Sequence, residues 1–126
     1  MNYEESIEWL NTIPLSFDRN NKNYEFKLDG IKDFLSHLDN PHSKLKIIHV
    51  GGTNGKGSTA FLLAALLKQE GFKTGCYTSP HLVDLRERIQ INGQCVCIQQ
   101  FVDVAERTLE ISRNPQCPQI SFFDLV

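Results

Sequence analysis

Apolar positions along this sequence follow three rhythms, and each predicts a different kind of element. Tyr3, Ile7 and Leu10 repeat at helical spacing, with Asn2 and Glu5 placed as a capping box in front of them and Pro14 behind. Ile31, Phe34, Leu35 and Leu38 predict a second short helix over about 30–38, ended by Asn40-Pro41. Phe101, Val104, Ala105, Leu109 and Ile111 predict a long helix over about 98–112, stopped by Asn114-Pro115. Short β-branched runs mark strands at 45–50 and 73–77. Arg88-Ile89-Gln90-Ile91 alternates, Asn92-Gly93 is a two-residue hairpin turn, and 94–98 returns. The third rhythm is none at all: 60–67 is continuously apolar. A helix apolar all round should be buried between a sheet and another layer, and Gly71 stands where its left-handed cap belongs. Residues 16–23 are polar and read as a loop. Strand, loop, helix and strand in succession over 45–77 predict an α/β fold with parallel strands and flanking helices.

Composition narrows the class without naming a chemistry. A chain of 126 residues has room for about one domain. Thirteen basic against fifteen acidic side chains give a net charge of -2, which excludes a non-specific nucleic-acid binder. The apolar run at 60–67 is far shorter than the ~20 residues of a membrane span. Glu4, Glu5 and Glu8 stand where a secretory leader would be basic, so a cytoplasmic protein is expected. Cys76, Cys95, Cys97 and Cys117 contain no Cys-x-x-Cys pair and read as reduced, small apolar residues.

Chemistry enters at Gly51-Gly52-Thr53-Asn54-Gly55-Lys56-Gly57-Ser58-Thr59, between the strand at 45–50 and the apolar helix. Glycines let backbone N–H groups approach phosphate oxygens, and a helix N-terminus adds a favourable dipole. Lys56 can set an ammonium on β- and γ-phosphates, while Ser58 and Thr59 offer hydroxyls to phosphate or Mg2+. The common Walker spacing is not matched: two residues separate Gly52 from Gly55, and Gly57 follows the lysine. The plain alternative is a tight strand-to-helix turn with a surface lysine.

Residues 48–59 resemble the signature of the folylpolyglutamate synthase and dihydrofolate synthase family of the Mur ligase superfamily. Gly75-Cys76-Tyr77-Thr78-Ser79-Pro80-His81-Leu82 is similar to the family's second motif. Glu87-Arg88-Ile89, the Asn92-Gly93 turn and Ser121-Phe122-Phe123-Asp124 follow in family order. The resemblance implies an ATP-dependent ligase. A terminal carboxylate of folate or dihydropteroate attacks the γ-phosphate of ATP, and the amine of L-glutamate displaces phosphate from the acyl phosphate. It implies that 52–59 binds ATP, with Gly52, Thr53, Asn54, Gly55, Lys56, Gly57, Ser58 and Thr59 around the phosphates and Lys56 offsetting charge in catalysis. It further implies that Ser79 coordinates Mg2+, that His81 faces the folate, and that Phe122, Phe123 and Asp124 help form the substrate pocket. Ordinary alternatives stand beside each: a turn serine, an exposed loop histidine, core aromatics. Glu87 and Arg88 read as a structural ion pair, and His37, His42 and His49 as ordinary surface residues.

Two departures bear on the substrate. The family's Leu-Gly-Leu-Glu-Arg segment appears as Phe26-Lys27-Leu28-Asp29-Gly30, and Asp124 stands in place of glutamate. The resemblance places a further acidic Mg2+ ligand, a histidine ligand, a modified lysine and a glutamate-binding C-terminal domain beyond Val126. The chain is therefore expected to be the N-terminal part of the ATP-binding domain of a monomeric parent, with exposed sheet edges and helix faces, and to turn over little ATP alone. The rival readings are a cell-wall amino-acid ligase of the same superfamily, against which the 77–82 motif speaks, and a nucleotide-binding remnant without catalysis.

Overall fold

The computed structural model describes residues 1–14 and 28–125, so the loop expected at 16–23 lies outside the described residues. The chain divides into two units, 1–46 with 102–126, and 47–101.

The first unit is helical and built by burial. Helix α1 (Tyr3–Thr12) opens with the expected capping box: the Asn2 N–H donates to Glu5 Oε2 and the Glu5 N–H to Asn2 Oδ1, both at 2.8 Å. Two orphan helix-end donors are thereby satisfied, and Ser6 and Leu10 are buried. Helix α2 (Asp29–Ser36) buries Phe34 to 2% exposure. The chain leaves it through Asp39 and Asn40, both left-handed, into a 3-10 turn at Pro41–Lys44. The long helix (Ile98–Ser112), α4 in chain order, matches the predicted span to the residue. It buries Val102, Ala105 and Thr108, three residues apart on one face. A last turn, α5 (Phe122–Leu125), is capped by Asp124, whose Oδ2 accepts from the Ser121 N–H at 2.9 Å and hydroxyl at 2.7 Å.

The second unit holds α3 (Lys56–Gln69) and a sheet of β1 (Gly75–Tyr77), β2 (Ile89–Ile91) and β3 (Gln94–Cys95), in the order β1-β2-β3. The Asn92-Gly93 turn forms as read, with φ of 51° and 78°, the positive pair a two-residue hairpin needs. Helix α3 also ends as read. Gly71 has φ 89°, and the N–H groups of Gly71 and Phe72 donate to the carbonyls of Lys68 and Leu67.

Three expectations are corrected. The mixed helix-and-strand class stands and β2–β3 is the antiparallel hairpin expected, Gln90 facing Cys95, but the parallel pair does not form: β1 pairs antiparallel with β2, Gly75 facing Ile91. The segment 45–50 forms no strand, and Leu45, Ile47 and Ile48 are 60–69% exposed. A strand exists only through a ladder, and no described segment supplies one to 45–50, whatever its β propensity. Nor is α3 buried: none of its residues is, and Leu62 and Leu66 are about two-thirds exposed. Three strands of two or three residues are too narrow to cover a helix that is apolar on every side.

Candidate functional site

The glycine-rich loop forms by backbone conformations that only glycine adopts cheaply. Gly52 has φ 151° and Gly55 φ 74°, and Gly55 is the left-handed N-cap of α3. No side chain caps that helix, so the first N–H groups of α3 point out of the helix end without the usual serine or aspartate. A Cβ added at Gly55 would meet nothing within 4 Å, so the space over the turn is open. Lys56 curls back over the loop, its Nζ donating to the Gly52 carbonyl at 2.8 Å. Thr53, Asn54, Lys56, Ser58 and Thr59 are exposed, and Gly57 is half-buried. The site is thus a rim of N–H, hydroxyl and ammonium donors, a chemistry suited to a polyanion.

Helix α3 is about 21 Å long at 1.5 Å per residue. After Gly71 the chain enters β1, which packs against α3, and Ser79 follows in the loop after Tyr77. Ser79 is exposed there, its peptide bond to Pro80 is cis, and His81 is half-buried.

What holds the 79–84 loop was only partly legible. Glu87 and Arg88, expected to pair with each other, make different contacts. Glu87 accepts three successive backbone N–H groups, from Leu82 at 2.9 Å on Oε2 and from Val83 at 3.0 Å and Asp84 at 2.8 Å on Oε1. The Leu82 and Asp84 N–H groups, with that of Val83, hold its carboxyl below the usual glutamate value. Asp84 caps the 3-10 turn Leu85–Arg88, accepting from the Arg86 N–H at 2.9 Å. Arg88 is 7% exposed, and its Nε donates to His81 Nδ1 at 2.9 Å, with Nη1 3.4 Å from the Tyr77 hydroxyl. Asp84-x-x-Glu87 spells a capping box, the signal that could have revealed this clamp.

The remaining candidates belong to the helical unit. Phe122 is 8% exposed, its N–H donating to the Pro14 carbonyl at 2.9 Å. The Asp124 side chain is occupied with its own helix turn. Of Phe123 only the backbone, within α5, is described. In the segment departing from the family pattern, Phe26 and Lys27 lie outside the described residues, and Leu28 is the N-cap of α2. Among the described residues no group of three His, Cys, Asp or Glu side chains is arranged to hold a metal, and no helix is long and apolar enough to cross a membrane.

No protein-family model matches the chain. Individual relatives do. The whole chain aligns at 34% identity with a "Probable bifunctional folylpolyglutamate synthase/dihydropteroate synthase" of Haloferax volcanii, covering 15% of that protein. The folylpolyglutamate synthetase of Lactobacillus casei superposes over 99% of the chain with TM-score 0.85 and 27% identity, the match covering 31% of its length. A structure of an FPGS–AMPPCP–folate complex superposes with TM-score 0.83 and 27% identity, over 99% of this chain and 30% of that one. The chain thus spans less than a third of the proteins it matches.

Proposed function

On the premise that this chain belongs to the folylpolyglutamate synthase family, we propose that it forms the N-terminal part of the ATP-binding domain of a ligase joining L-glutamate to folate, dihydropteroate or both. The observation that carries this reading is the donor-lined loop at 52–59, with Gly55 leaving the end of α3 uncapped and Lys56 over its mouth. The likeness to a structure holding AMPPCP and folate supports it. In a cytoplasmic, monomeric parent, the glutamate-binding part would belong to the length of the relatives that this chain does not span.

Each group has a task set by charge. The reaction brings a carboxylate against the γ-phosphate, two anions that repel. The N–H groups at the start of α3 cradle the phosphates, and Lys56 leaves the Gly52 carbonyl to meet the β- and γ-oxygens and the charge that develops in transfer. Mg2+ fits the oxygen donors present, the hydroxyls of Ser58 or Thr59 and of Ser79, which are hard ligands without a thiol or imidazole among them. When bound it neutralises phosphate charge. His81, steadied by Arg88, would face the acceptor substrate; for Phe122, Phe123 and Asp124 a substrate-binding role rests on the family resemblance of their motif.

Calorimetric titration of the chain with Mg-ATP, with and without dihydropteroate, tests this reading. Saturable binding that Lys56→Ala weakens about 100-fold is expected. Binding of unchanged strength in that variant refutes the loop assignment.

A further inference from the structure

The loop carrying Ser79 and His81 is not held by packing. Leu82 and Val83 are 90% and 91% exposed, so burial of their side chains contributes almost nothing to fixing the backbone between them. Three consecutive N–H groups of this stretch nevertheless converge on one carboxylate, Glu87, at 2.8–3.0 Å. Hydrogen bonds to an ionised acceptor are about twice as strong as neutral ones. The base of the clamp is itself fixed: Leu85 and Arg88 are buried, the Glu87 N–H returns to the Asp84 carbonyl at 2.9 Å, and the Thr78 N–H donates to the Arg88 carbonyl at 3.0 Å. Both ends of 78–88 are thus tied together.

We propose that Glu87 is a positioning residue for the metal-binding side of the site, holding 82–84 by its three backbone contacts so that Ser79 is presented to phosphate-bound Mg2+. This rests on the reading of 52–59 and Ser79 given above. Glu87 touches neither nucleotide nor metal; it acts through the loop. An amide at this position keeps a single carbonyl oxygen and turns an NH2 group toward at least one N–H, so Glu87→Gln cannot satisfy all three donors. An orphaned donor on an exposed stretch turns to water, and the loop loses its fixed form.

The experiment measures ATP affinity of the full chain by calorimetry without divalent metal, then the Mg2+ concentration that half-restores tight binding. For Glu87→Gln the metal-free affinity should stay within about twofold while the Mg2+ midpoint rises roughly tenfold, the size expected for losing one charge-assisted hydrogen bond. A general folding defect would lower both together, and that outcome overturns the proposal, as does an unmoved midpoint. In the unaltered chain the amides of Leu82, Val83 and Asp84 should be protected from hydrogen exchange despite the exposed side chains of Leu82 and Val83. Rapid exchange there overturns it whatever the variant does. Failure of the unaltered chain to bind ATP at all would instead defeat the reading of the phosphate loop.

Discussion

The two units are held by different physics. Among the described residues, the helical one contains six of the eight that are apolar and buried, Leu10, Phe34, Val102, Ala105, Ile120 and Phe122. The unit with the glycine-rich loop contains the other two, Leu85 and Phe101, while Phe61, Leu62, Leu66, Phe72, Leu82 and Val83 stand exposed. What it has in place of a core is backbone specification: glycines at positive φ, a primed hairpin, and a carboxylate gripping three amides. Burial stabilises without regard to direction, whereas hydrogen bonds and dihedral preferences fix where a particular group points. The unit with the glycine-rich loop and Ser79 is the one specified by direction.

Substitutions can break or sharpen that contrast. The largest effect should come from the helical core, where Phe34→Ala removes a side chain 2% exposed and costs about 3–5 kcal/mol in denaturant unfolding. Leu62→Ala on α3, two-thirds exposed, should cost less than about 0.5 kcal/mol. Equal losses would mean α3 is covered after all. Lys56→Ala should weaken ATP binding about 100-fold by removing a charge-assisted phosphate contact. Its melting temperature should hold, because Lys56 is exposed.

Alanine at the two ends of α3 gives a finer test. Gly55 (φ 74°) and Gly71 (φ 89°) impose similar strain on a side chain, so each substitution should cost about 1–2 kcal/mol of stability. Only Gly55→Ala should also weaken ATP binding, seen by running both variants through the same titration.

The smallest effect is one of pH. Because folding lowers the Glu87 pKa, the clamp contributes fully above the ordinary glutamate range and is lost as pH falls through the depressed folded value. Carbon-detected NMR of the Glu87 carboxyl should show a midpoint below that of a free glutamate, and Glu87→Gln should remove the acid-side loosening of 82–84.

Local rules were legible in the sequence, and partnership was not. The Asn2 capping box, the Gly71 cap, the Asn92-Gly93 turn and the span of the long helix all depend on residues within a few positions of one another, and all form as read. The strand at 45–50 and the burial of α3 depend on what lies alongside, which no local pattern encodes. The same division holds at the site. Residues 52–59 announced themselves by composition. The convergence of the Leu82, Val83 and Asp84 amides on Glu87 did not, because the capping pattern at Asp84 accounts for only part of it.

Residues 52–59 are proposed to hold nucleotide phosphates, with Ser79 meeting the accompanying metal. The most direct test is amide NMR of the isotopically labelled chain, titrated with AMPPCP before and after Mg2+ is added. The largest shifts should fall on the amides of 52–59 in both conditions, with Ser79 and His81 moving only once Mg2+ is present. Shifts centred on other residues, or Ser79 responding to the nucleotide without metal, would contradict it.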